Sequence, residues 1–153
     1  MKQRFDRRIR QSIFGSITIF TALAISACTL TAKRNGLPGE VEATIAAVSA
    51  DIEQERYEKI YNEASELWRQ AATLEQSTEV FKKLQTKLGR VESRTLHTAT
   101  EQNNSGGPLK GRAYIVTYHT KFQKGEGMET FTLLERDNQW LLARYFVNST
   151  ALN

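Results

Sequence analysis

Few residues of this chain could do chemistry. Cys28 is its only thiol, which excludes an internal disulfide and any multi-cysteine metal centre. His97 and His119 stand far apart in sequence, with no Asp or Glu at chelating spacing beside either. No metal site is expected from them, and both are expected as exposed strand residues. Glu129 lies in an alternating run with Phe131 and Leu133 on its own face, so it is expected to point toward apolar surroundings. A buried acid can act as a general base, because burial raises its affinity for a proton. It can equally be the structural partner of a cation, here Arg94 or Arg144, and the ion pair is the commoner arrangement. Arg94 in turn could grip an anionic ligand with its planar fork, or lie along an apolar surface and pair with a carboxylate. Tyr118, Trp140 and Tyr145 complete the candidate set, as walls of an apolar pocket or as packing residues. No nucleophile elbow of the G-x-S-x-G type and no phosphate-cradling glycine loop is present, and Asn104-Ser105-Gly106-Gly107 is a turn. No catalytic set and no cofactor motif emerges.

Charge narrows the partners. The net charge is +4, but five of the 21 cations and one of the 17 anions lie in residues 1–27, leaving 16 of each in residues 28–153. A neutral domain lacks the clustered cations that neutralise phosphates, so nucleic acid is not an expected partner. The basic excess marks the N-terminus. Lys2, Arg4, Arg7, Arg8 and Arg10 precede an uncharged apolar stretch, Ile13–Ile25, and then Ile25-Ser26-Ala27-Cys28. Cation-rich, apolar and small-residue segments in that order are those of an export signal. The last four residues resemble the lipobox of bacterial lipoproteins, with Ile25 where that family prefers Leu. The resemblance implies cleavage between Ala27 and Cys28 and lipidation of the Cys28 thiol. The uncharged run Ser12–Ala32 is also long enough to span a bilayer, which leaves an uncleaved anchor as the alternative. Thr29, where Asp would retain many Gram-negative lipoproteins at the inner membrane, favours the outer membrane facing the periplasm. Residues 1–27 are thus expected to be signal peptide and 28–39 a flexible tether, with the membrane as partner through lipid on Cys28.

Residues 40–150 are expected to form one α+β domain. Val41, Ile45, Val48 and Ile52 recur at helical spacing, as do Tyr57, Ile60, Tyr61, Ala64, Leu67, Trp68 and Ala71, with a junction near Ile52–Arg56. Glu53, Glu55, Glu58, Glu63 and Glu66 fall on the opposite, solvated side. A further helix is expected over Ser77–Leu88, capped by Ser77 and stopped by Gly89. Beyond it, Val91–Ala99, Arg112–Phe122, Met128–Glu135 and Trp140–Val147 are rich in β-branched and aromatic residues. Turn chemistry over 103–111, 123–127 and 137–138 separates them. Helices first and strands after predict N-terminal helices packed on a curved four-stranded antiparallel sheet.

Several of these segments resemble a family of small exported bacterial proteins of unknown function. They are Leu88-Gly89-Arg90-Val91-Glu92-Ser93-Arg94, Gly106-Gly107-Pro108 with Gly111, Tyr118 and Phe122, Glu129-Thr130-Phe131-Thr132, and Trp140 with Tyr145-Phe146-Val147. The likeness runs from Ile45 to Val147. It implies a nuclear-transport-factor-like, or cystatin-like, cone. Arg144 and Gln54-Glu55 depart from it, since glycine is usual at those places.

A non-catalytic envelope lipoprotein that binds a protein or a small apolar ligand is therefore the expected function. Its rivals are a cone-shaped enzyme of isomerase or dehydratase type and an accessory or immunity-like partner of another exported protein. A buried carboxylate with a shifted pKa beside a water-sized cavity would favour the enzyme, and a filled cone with an exposed apolar patch larger than a few hundred Å² would favour a partner protein.

Overall fold

The computed structural model describes residues 36–153. The signal segment, Ala27, Cys28 and most of the expected tether lie outside the described residues. Four helices precede four strands: α1 (Gly39–Glu53), α2 (Tyr57–Glu63), α3 (Glu66–Ala71), α4 (Leu74–Leu88), β1 (Val91–Asn104), β2 (Gly111–Phe122), β3 (Gly125–Arg136) and β4 (Gln139–Asn148). A short 3-10 turn, Thr150–Leu152, ends the chain. The strands form one antiparallel sheet in the order β1-β2-β3-β4. This is the α+β arrangement that the order of periodicities implies.

The helices cover one face of that sheet. Val41 and Ile45 of α1, Tyr57 and Ile60 of α2 and Phe81 of α4 meet Val116, Phe131, Leu133, Trp140 and Leu142 in the main core. Phe81 is its hub. Tyr57 and Trp68 stack on it at ring separations of 5.6 and 5.7 Å, and Tyr145 tilts against it from the sheet at 5.7 Å. Burying a side chain of that size contributes on the order of 3 kcal/mol from apolar surface alone.

Two helix boundaries differ from the periodicity. The expected single helix over Tyr57–Ala71 breaks at Ala64-Ser65, because the backbone there bonds to the sheet instead. The Ser65 N–H donates to the Leu142 carbonyl at 2.8 Å, which covers the β4 edge. The last helix starts before Ser77. Its cap is Thr73, whose hydroxyl accepts from the Gln76 N–H while the Gln76 side chain accepts from the Thr73 N–H. Ser77 is buried inside the helix, where its hydroxyl accepts from the Trp68 indole at 3.1 Å. Gly89 does end the helix, at φ +74°.

The strands run further than their β-branched cores. β1 continues from Ala99 to Asn104 through polar residues, since each of them pairs with β2. Gly125 and Gly127 belong to β3 rather than to a turn, and the chain reverses over Gln123-Lys124 alone. Gly127 must lack a side chain: a Cβ there would stand 2.4 Å from the Asn148 carbonyl oxygen. Asp137 and Asn138 form the last hairpin turn, both at positive φ, as a two-residue turn of that handedness requires. Pairing slips within β1 and between Thr132 and Leu133, and such bulges bend a sheet.

Candidate functional site

The helix-covered face of the sheet carries a charged group at its centre. Alternation along β3 sends Glu129 inward between Met128 and Thr130, and its side chain is 0% exposed. Arg94 of β1 reaches it with both arms of its fork. Nε donates to one carboxylate oxygen at 2.5 Å and Nη2 to the other at 2.9 Å. Thr120 of β2 donates its hydroxyl to the first oxygen at 2.8 Å, and Tyr145 of β4 donates to the second at 2.7 Å. Each of the four strands thus supplies one member. Every carboxylate oxygen accepts two hydrogen bonds, which nearly exhausts the acceptor capacity of the group.

The electrostatics agree with that geometry. Burial opposes the charge on Arg94, but the hydrogen bonds to Glu129 and the Glu129 charge, with smaller contributions from Tyr145 and Glu53, together outweigh burial and hold it cationic. Burial, reinforced by the neighbouring Glu129 charge and the hydrogen bond to it, pushes the Tyr145 phenol well above its ordinary range. Tyr145 therefore keeps its proton and stays a donor. The Arg94 guanidinium also stands 5.7 Å from the centre of the Phe131 ring, a favourable placing for a cation. Of the two cations that sequence offers Glu129, Arg94 is the partner. Arg144 is exposed and pairs across the sheet with Thr132.

Space at the site is small. A cavity of about 30 Å³ borders Arg94 and Tyr145, walled also by Ser49, Ile52, Phe81 and Gln85. That holds a water or two, whereas ligand pockets run to about 300–1,000 Å³.

The other candidates separate. Tyr118 is the cross-strand partner of Glu129 and packs edge-on against Phe131 at 6.2 Å, so it belongs to the surroundings of the site. Trp140 does not. It lies toward the far end of the sheet, 7% exposed, with its ring edge-on to Tyr114 at 5.8 Å and the Arg112 guanidinium over it at 5.3 Å. Arg112 is held there by Glu101 and Glu135. Thr120 is the member that sequence reasoning missed. Its signal was the two-residue period from Tyr118, which places both on the inner face.

A second buried carboxylate sits among the helices. The Asp51 side chain is nearly inaccessible and pairs with Arg56 and with Lys59, the latter at 2.8 Å. Burial alone would raise its pKa, but the hydrogen bonds and charges of Lys59 and Arg56 leave it below the ordinary value of 3.8. His97 and His119 are both exposed, as expected, but their rings meet edge to face with centres 5.1 Å apart. Among the described residues, no three His, Cys, Asp or Glu side chains converge as a ligand set.

Comparison with known proteins adds the following. No curated protein matches the chain. One similar solved structure is described as a scytalone dehydratase from Novosphingobium aromaticivorans DSM 12444. It is 12% identical, with a TM-score of 0.43, over 72% of this chain and 82% of that one. The model of the family described as protein of unknown function (DUF4019) matches residues 44–145, the stretch that holds Arg94, Thr120, Glu129 and Tyr145. The chain belongs to that family.

Proposed function

We propose that this protein is a lipid-anchored component of a bacterial cell envelope whose domain binds a partner rather than turning over a substrate. One observation carries the non-catalytic part. Glu129, the acid best placed to be a base, is saturated by Arg94, Thr120 and Tyr145, and the cavity of about 30 Å³ reaches Arg94 and Tyr145 but not Glu129 itself. A general base needs a free lone pair within reach of the proton it takes, and a place for the substrate that carries that proton. The four hydrogen bonds that Glu129 accepts occupy those lone pairs, which supports the non-catalytic reading. An Arg–carboxylate fork with two further donors is instead a cross-brace that ties four strands together.

The anchor rests on the N-terminal pattern: cations, Ile13–Ile25, then Ser26-Ala27-Cys28. Lipid on Cys28 would hold the domain at a membrane surface by more than one acyl chain, with the segment before Gly39 as tether. In cells fed a labelled fatty acid, the wild type should take up label and Cys28→Ser should not. If both stay unlabelled at full-length mass, the anchor proposal fails. Crosslinking in intact cells tests the domain's role. A specific adduct that Cys28→Ser loses, while the free domain stays folded, supports a membrane-apposed binder.

A further inference from the structure

We propose that the free edge of β1 pairs, antiparallel, with β1 of a second copy of this chain, about a two-fold axis between His97 and Thr98. This goes beyond the binding role above and does not depend on it. The two edges of the sheet differ. Along β4, the Ser65 N–H takes the Leu142 carbonyl. β1 is the other edge, 14 residues long, and every residue from Thr95 to Asn103 is exposed. It contains no Pro, and no charged side chain lies between Arg94 and Glu101. Sheet edges are commonly blunted by such groups, because their unpaired N–H and carbonyl groups otherwise invite another strand. Leu96, in the middle of this run, is 42% exposed although it shares the inner face with its partner Tyr118.

β1 does carry one interruption, the residue skipped at His97, and it selects the occupant. Arg94 and Leu96 stand opposite the inner-face residues Thr120 and Tyr118. Beyond His97, Ala99 and Glu101 stand opposite the inner-face residues Val116 and Tyr114. The inner positions are therefore 94, 96, 99 and 101, with 95 and 100 on the outer face. That order reads the same in both directions from the midpoint of His97-Thr98. A regular strand laid along this edge would fall out of phase at His97 unless it added a mismatch of its own. A second β1 carries the same interruption at the same place, so the faces stay in phase along the whole contact.

The side chains that then meet are compatible. Leu96 lies opposite Ala99 of the second copy, and Thr95 opposite its Thr100. Arg94 lies opposite its Glu101. Nε and Nη2 of Arg94 hold Glu129, and among the described residues nothing accepts from Nη1. Glu101 is held by the exposed Arg112. Glu92 faces Asn103, so no like charges oppose one another. The operation is a closed two-fold, in which the same patch serves both copies. An edge alone is a small contact, below the roughly 1,200 Å² of stable complexes, so the dimer should dissociate readily.

The test uses the full chain in detergent with Cys28→Ser, so that introduced thiols are the only ones. Thr95→Cys combined with Thr100→Cys should link two copies on mild oxidation with diamide. Directly opposed residues stand about 4.5–5.5 Å apart at Cα, within the span of a disulfide. Within one chain the two thiols cannot meet, since five residues of strand cover about 15 Å. Thr95→Cys combined with Gln102→Cys is the register control and should link at least about tenfold more slowly, because its thiols lie one pair out of step. Adding Leu96→Lys to the linking pair should lower the dimer yield at least about tenfold, as a charge on an edge does, with circular dichroism unchanged. No linked dimer, or a yield that Leu96→Lys leaves unaffected, overturns the interface. Equal linking by the control pair overturns the register.

Discussion

The two faces of the same strands carry opposite kinds of polar chemistry, separated by one peptide unit. Thr120 and Glu129 point into the helices, while their neighbours His119 and Met128 point to solvent. Inside, a charge is tolerated only because every oxygen is matched, since an unpaired ion in a packed interior costs several kcal/mol. That requirement uses up the chemistry of the group. Outside, the exposed imidazoles are open to water and no buried group has to pair with them. On the proposed reading, the more reactive-looking acid is the structural one.

The contrast can be broken most directly at Arg94. Arg94→Ala should cost about 3–5 kcal/mol in denaturant unfolding, because it strands the buried Glu129. A loss under about 1 kcal/mol would show that water reaches the acid and that the inner face is not sealed. The double replacement Arg94→Met with Glu129→Leu sharpens the point. It should recover only part of that loss, since apolar groups of similar volume often replace a buried pair at little cost but the Thr120 and Tyr145 hydroxyls are left without an acceptor.

Tyr145→Phe deletes one donor to the same carboxylate and should cost about 1.5–3 kcal/mol. Its near-ultraviolet titration offers an independent check. In wild type, this phenol should ionise well above the range of an exposed tyrosine.

Asp51 tests whether buried pairs among the helices behave likewise. Its folded pKa is depressed, so its contribution is complete above about 3.8 and is lost as pH falls through the lower folded value. Asp51→Asn should be less stable than wild type at pH 7, with the gap closing in stronger acid. A gap independent of pH would mean that the ion pairs with Arg56 and Lys59 contribute nothing.

The smallest effects belong to exposed positions. His119→Gln should change stability by less than about 0.5 kcal/mol. Glu55 occupies a left-handed turn at φ +56°, the place where related sequences were expected to carry glycine. Glu55→Gly should therefore stabilise the chain slightly, by up to about 1 kcal/mol, seen as a raised melting temperature.

Much of this architecture was legible in the residues. Three-to-four spacing around Val41–Ile52 and Phe81–Leu88, then two-residue alternation through Phe131 and Leu133, is a local consequence of which side must meet the core. It called for helices followed by an antiparallel sheet. The inward facing of Glu129 followed from the same alternation, as did the turn at Asp137-Asn138, because its two residues tolerate positive φ. Pairing across distance was not legible. Sequence offered Glu129 two arginines, and only the slipped register of β1 against β2, with β4 laid beside β3, brings Arg94 and Tyr145 to it and sends Arg144 elsewhere. Periodicity also ran one helix through Ala64-Ser65, where the Leu142 carbonyl takes the backbone N–H away. His97 and His119 looked unrelated for the same reason. Their meeting depends on a hairpin and a bulge, and so on contacts that exist only once the sheet has closed.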